Sequence, residues 1–397
     1  MSQYEIVTPV ALQHTQEVTC TPPWYVQDTE YPPAKATYEP LINGEEAFRA
    51  VHLAIAQAKA SVDIICWGFQ PSMYFIRDGI SPCIGELLLA MSREGVKVRV
   101  LGWEMPFNTA GKAGEANLPG KGPFRFYDRE MQPSTDDQYA YDRYWFANCA
   151  VADYMAAGLQ EARGTPVFVS RGFSLFERAE IAYQAMYRSR DPQISASTEF
   201  ILTATATHHQ KTVLVDYELP DRAVGFVMGH NMLDEYWDTD THSALNRGKD
   251  TKPAPNRGSR GDTPRQDISS RVSGPILEHL HDNFAKAWHK ETGEDLFDLR
   301  QAKAVGSQLQ CAPEATKQLA QILRTQAQEG ICDIEQLYLQ AANNATQFIY
   351  IENQYFRWPP LAELIKAVAA GQTKAGRDPQ YMATCTCSSS PMPAMAA

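Results

Sequence analysis

HQKTVLVD, His209 to Asp216, is the stretch on which the reading of this chain turns. Its centre, Thr212 to Val215, is short, apolar and largely β-branched, and so has strand character. Side chains on a strand alternate between faces, which sends His209 and Lys211 the same way, about 7 Å apart along the backbone. One imidazole and one ammonium aimed at a shared space suit a phosphodiester. The imidazole can attack phosphorus and the ammonium can neutralise a non-bridging oxygen. Asp216 falls on the face opposite His209 and takes a structural role. The next strand-like run, Val224 to Met228, ends at Gly229-His230-Asn231, where Gly229 serves the turn and Asn231 can donate to the same phosphate. A bare H-x-K is worthless as a signal; the strand, the later Asp and the Gly-x-Asn make it specific.

Outward from this stretch the chain reads as α/β. Asn43 and Glu46 have capping-box spacing, and Phe48, Val51, Ile55 and Ala58 share one helical face. VDIICW (62–67) is an apolar run expected as a buried strand. Ile84, Leu87, Leu88 and Met91 mark a second helix, and Val96, Val98 and Val100 a second strand. Strand, helix, strand at this spacing is a βαβ unit, hence a mixed sheet flanked by helices. A strand is also expected over Phe200–Thr205, and Pro275 opens an amphipathic helix carrying Ile276, Leu280, Phe284 and Ala287. Residues 1–40, rich in Pro and Thr, are expected as an extended arm. The aromatic stretch 104–165 either walls an apolar pocket or packs on itself. The basic segment 242–266 is either a lid for an anionic lipid surface or a solvated loop.

Composition narrows the class. A net charge of −11 argues against nucleic acid as a partner, since phosphate neutralisation needs a basic surface. No apolar run reaches the roughly 18 residues of a membrane span. The amino-terminal stretch lacks the basic start and apolar core of a cleaved signal peptide. The eight cysteines form no regular framework and read as mostly reduced and buried. His208, His209, His230 and His242 match no zinc-ligand spacing, so no metal and no cofactor is expected.

With the histidine, lysine and aspartate at these spacings, the chain resembles the phospholipase D superfamily through its HKD motif. PRQDISSRVSGPILEHLHDNFAKAW (264–288) resembles the segment that follows the family's first motif, and there the resemblance implies that Asp267 orients the nucleophilic His209. YIENQYF (350–356) resembles the segment opening the family's second half and makes Glu352 and Asn353 candidate substrate-binding residues. Asn231 stands farther from Asp216 than the family pattern has it, and Gln266 replaces a customary histidine. The 397 residues hold one H-x-K-x4-D and no second. AKASVDIICW (58–67) aligns without gaps on ANNATQFIYI (342–351), each at a helix–strand junction. The expectation is therefore a duplicated phospholipase D-like fold whose second copy is incomplete: an arm over 1–40, a first domain over 41–300, the start of a second over 301–381, and an aberrant tail over 382–397. Read one frame over, the tail's codons specify a glycine and then an apolar strand. A frameshift, with the second motif beyond residue 397, is the expectation.

What the resemblance implies is a phosphodiesterase that releases phosphatidic acid from glycerophospholipids through a phosphohistidine. The leaving group takes its proton from a histidine of the second motif. The chain also resembles bacterial antibacterial lipase effectors, toxins delivered by type VI secretion. That implies export from the cytoplasm without a signal peptide, action at a target-cell membrane, and secretion-apparatus and immunity proteins as partners. A cardiolipin- or phosphatidylserine-synthase-like transferase, a single-motif nuclease and a non-catalytic lipid-binding remnant stay open.

Overall fold

The computed structural model describes residues 23–104, 117–121, 134–151, 164–188, 206–245, 247–248, 251–353, 356 and 358–376. The strand expected over Phe200–Thr205 and the tail 382–397 lie outside them, as does most of the aromatic stretch. The chain divides into two units. One comprises Pro33–Ser174 and Thr205–Ile322, the other Met1–Pro32, Leu175–Ala204 and Leu323–Ala397.

The first unit is built on a mixed sheet of nine strands in the order β4-β5-β3-β2-β6-β7-β8-β1-β9. In chain order these are β1 (Ala34–Ile42), β2 (Ser61–Cys66), β3 (Lys97–Trp103), β4 (Ala150–Val151), β5 (Val167–Arg171), β6 (Thr212–Val215), β7 (Val224–Met228), β8 (Ile268–Ser273) and β9 (Lys317–Ala320). Strands β2, β3 and β5 run parallel, as the βαβ reading requires, while β6 runs antiparallel to both β2 and β7. Helices α1 (Asn43–Ala56), α2 (Ile84–Arg93) and α3 (Asp136–Cys149) supply one apolar layer: Phe48, Val51, Leu88 and Trp145 pack with Val62, Ile64, Val213 and Val215. Helix α4 (Leu277–Thr292) supplies the other, where Leu277 and Leu280 meet Leu214 and Phe284 and Trp288 meet Ile65 and Leu101. Alternate residues of β2 and β6 thus go to opposite layers, the period of two expected of strands covered on both faces. Each such fully buried large side chain contributes roughly 1.5–3 kcal/mol.

Three expectations are corrected. Ala34–Ile42 is not part of an arm; it pairs antiparallel with β8 and with β9. The Asn43–Glu46 capping box does not form: Ile42 is the N-cap, the Glu46 carboxylate accepts from its N–H at 2.7 Å, and the Asn43 N–H donates to the Asp267 carbonyl. The basic segment 242–266 is not wholly a solvated loop: part of it is packed, while residues such as Leu245, Arg257 and Gln266 are exposed. Arg260 is buried beside Asp234 (3.4 Å), Arg265 pairs with Glu235 (3.3 Å) and lies over Tyr236, and Lys252 pairs with Asp262 at 2.8 Å.

The second unit holds helices Leu175–Arg188, Asp333–Asn344 and Pro359–Lys374. Its one sheet among the described residues is the pair Thr325–Gln326 with Ile331–Cys332. The stretch aligned with β2 therefore follows a helix but is not a strand: Phe348 and Tyr350 are exposed. A strand needs a neighbour to take its backbone hydrogen bonds, and here none is described beside it. These residues line an open apolar pocket of about 580 Å³ with Trp24, Tyr338, Leu361 and Ile365. No described helix is long and apolar enough to cross a membrane.

Candidate active site

Strand direction gathers the site. The carboxyl ends of β2, β3, β5, β7 and β1 and the amino ends of the antiparallel β6 and β8 all reach one edge of the sheet. His209 and Lys211 lie just before β6 on that edge. They continue the odd-numbered face of Val213 and Val215, the face covered by α1, α2 and α3. The two side chains meet as the alternation requires: Lys211 Nζ is 3.2 Å from His209 Nδ1 and 3.3 Å from the His209 carbonyl. Lys211 is buried, while His209 is exposed at the mouth with its ring 5.4 Å from that of Trp67, at the end of β2. Burial of the covered side of the ring, and then the Lys211 charge, push the His209 imidazole down to about 4. It is a free base at neutral pH.

Gln210, the residue between them, faces α4. His208 is enclosed by Trp103 and Phe173, at ring distances of 5.3 and 4.2 Å. Gln210 accepts from Arg171 of β5 and donates to Asn283 of α4, both at 3.3 Å, which pins the backbone between the two reactive side chains.

Gly229, His230 and Asn231 follow β7 on the same edge. A Cβ at Gly229 would collide with the Asp267 carboxylate and the Ile268 carbonyl, so the close approach of these segments requires glycine. Asn231 is 1% exposed, and among the described residues its side-chain oxygen has no hydrogen-bond partner. Asp267 accepts from the Ile268 N–H at 2.8 Å and makes no hydrogen bond to His209 among the described residues. Its charge acts on His230 instead, which burial holds below the ordinary imidazole range. Asp216 stands at the far end of β6, at φ 54°, and accepts from the N–H groups of Lys59, Ala60 and Ser61 at 2.7–3.2 Å, fixing the start of β2. Glu352 and Asn353 belong to the other unit, both exposed; Glu352 accepts from Tyr350 Oη at 3.0 Å. No group of three or more His, Cys, Asp or Glu placed to hold a metal occurs among the described residues.

Three residues of this edge escaped the sequence reading. Trp67 could have been found, since it ends the strand expected beside the motif. Asn43 accepts from the Asp267 N–H at 3.3 Å and donates to Asp240 at 3.0 Å, contacts between residues far apart in the chain that no local pattern announces. His230 enters the sequence reading as the spacer of Gly-x-Asn and as a zinc-ligand candidate set aside, not as a phosphate-site residue.

Residues 171–340, which contain this edge from β5 onward, match the family described as Phospholipase D. Phospholipase D alpha 1 of Brassica oleracea var. capitata is 26% identical over 371 residues, covering 80% of this chain and 39% of that relative. Its counterpart in Vigna unguiculata is 26% identical over 387 residues, 83% of this chain and 42% of the relative. The chain thus spans well under half the length of these relatives. Among solved structures, the phospholipase D family member Nuc of Salmonella typhimurium aligns with 13% identity and TM-score 0.28 over 65% of this chain and 95% of that one. A phosphatidylserine synthase of Haemophilus influenzae aligns with 9% identity and TM-score 0.24 over 86% and 47%.

Proposed function

We propose that the chain is a phospholipase D-type phosphodiesterase acting on glycerophospholipids, with His209 as nucleophile. The observation that supports this reading best is the contact of a neutral, exposed His209 with a buried Lys211 ammonium on an edge that also carries Asn231. A phosphate seated there takes the lysine's N–H in place of the ring, which neutralises a non-bridging oxygen and frees the imidazole. A ring nitrogen of His209 attacks phosphorus in line, the bond from phosphorus to the head-group oxygen breaks, and the head-group alcohol leaves with a proton. Water then attacks the phosphohistidine, the P–N bond breaks, and phosphatidic acid departs.

Lys211 and the Asn231 amide hold the phosphate, and a role for Asp267 in orienting His209 follows from the resemblance. The second histidine, which would protonate the leaving alcohol, follows from the resemblance, as do the roles of Glu352 and Asn353. So do delivery to a target-cell membrane by type VI secretion and a cognate immunity protein.

Head-group release from mixed phospholipid vesicles tests the reading. The chain, a form extended through a second histidine motif, and each with His209→Ala are compared, with and without a primary alcohol. Release that disappears with His209→Ala supports the mechanism, and conversion to a phosphatidyl-alcohol would make the enzyme a transferase. Release that survives the substitution removes His209 from it, and no release from either parent chain contradicts the phosphodiesterase assignment.

A further inference from the structure

His230 carries more than a spacer's role. It is 1% exposed, and its Nδ1 lies 2.7 Å from Ser269 Oγ, near the start of β8. Its other ring nitrogen, Nε2, is buried with no hydrogen-bond partner among the described residues. The ring's edge rests on Phe48 of α1, with centroids 5.5 Å apart, so it sits in the same layer as Lys211. The Lys211 ammonium and the Asp267 carboxylate both act on it electrostatically. When the Ser269 hydroxyl donates to Nδ1, the proton of the neutral ring must sit on Nε2. A buried N–H without an acceptor is costly, and the group bound by the neighbouring Lys211 has oxygens to offer.

We propose that His230 is a further phosphate-binding residue of this site, its Nε2–H donating to an oxygen of the phosphate held by Lys211. The proposal rests on the phosphodiesterase reading and deepens it: the pocket takes its substrate's anionic oxygens through an imidazole as well as an ammonium and an amide. Ser269 is then a positioning residue that fixes the tautomer.

The test uses the full chain labelled with 15N-histidine and inorganic phosphate as the probe, with His230 resonances assigned from the His230→Gln spectrum. The expected result is an Nε2–H tautomer at His230 and a shift of that nitrogen on adding phosphate. A shift at His209 without one at His230 overturns this proposal alone; no shift at either overturns the phosphodiesterase reading with it. Binding supplies a second readout. His230→Phe keeps the ring shape but loses the donor and is expected to weaken phosphate binding about tenfold or more, the value of a hydrogen bond to a charged group. His230→Gln, whose amide nitrogen overlays Nε2, is expected to restore most of it. Equal affinity in wild type and His230→Phe contradicts the proposal. Should the Phe variant not fold, the wild-type spectrum still decides.

Discussion

Lys211 Nζ donates to Nδ1 of His209 across 3.2 Å. Because an ammonium can only donate, Nδ1 accepts and the neutral ring carries its proton on Nε2. Attack through Nε2 therefore requires the phosphate to draw Lys211 away and the ring proton to move to Nδ1. On the proposed mechanism, the resting contact leaves His209 a neutral imidazole.

The first prediction concerns pH. His209 attacks only as the free base, and its pKa lies below the ordinary 6.5, at about 4, through burial first and the Lys211 charge second. The acid limb of the rate profile should thus fall near pH 4, with activity kept between 4 and 6.5, where an unperturbed imidazole would be losing it. In Lys211→Ala the limb should move up yet stay below the ordinary value, because burial remains. The pH dependence of head-group release measures both.

Lys211→Ala should lower the rate of phosphodiester cleavage by about 10²–10³-fold, the usual cost of removing one preorganised group that meets transition-state charge. Lys211→Arg keeps the charge but replaces a compact ammonium with a planar fork in a buried position, and should recover only part of the loss. Steady-state kinetics on a soluble short-chain phospholipid give both numbers.

Gly229→Ala should be destabilising. The new Cβ would collide with the Asp267 carboxylate and with the Ile268 carbonyl, and the second is backbone that cannot swing aside. Overpacking of this kind costs about 1–3 kcal/mol, read as a lower urea midpoint, and phosphate affinity should fall with it because Asn231 is two residues on.

At Asp216 the loss should appear in stability rather than in chemistry. Asp216→Ala removes the acceptor of three backbone N–H groups and places alanine at φ 54°. A cost of about 3 kcal/mol in urea unfolding is expected, with Asp216→Asn milder because asparagine tolerates the left-handed region and keeps one acceptor oxygen.

The parts of this fold that sequence announced are those with a strict local period. The apolar run before Trp67, the alternation at Val96–Val100 and the spacing of His209 and Lys211 each state a strand and a face, and β2, β3 and the approach to β6 follow. Strand β1 was hidden because Pro40 and the polar Lys35, Thr37 and Glu39 mask its pairing with β8 and β9. Apolar residues at 348–351 looked like β2 but have no described strand beside them, and pairing rather than hydropathy makes a strand. The site's long-range clamps, Asn43 on Asp267 and Ser269 on His230, depend on which segments the topology brings together, which no window of sequence contains.

Orthovanadate, which mimics the five-coordinate phosphorus of in-line displacement, tests the central claim most directly. A crystal structure of the chain grown with it should show vanadium bonded to a ring nitrogen of His209, with Lys211 Nζ turned from the ring to an equatorial oxygen. Vanadate bound elsewhere, or Lys211 still on His209 Nδ1 with vanadate in the crystal, would contradict the account.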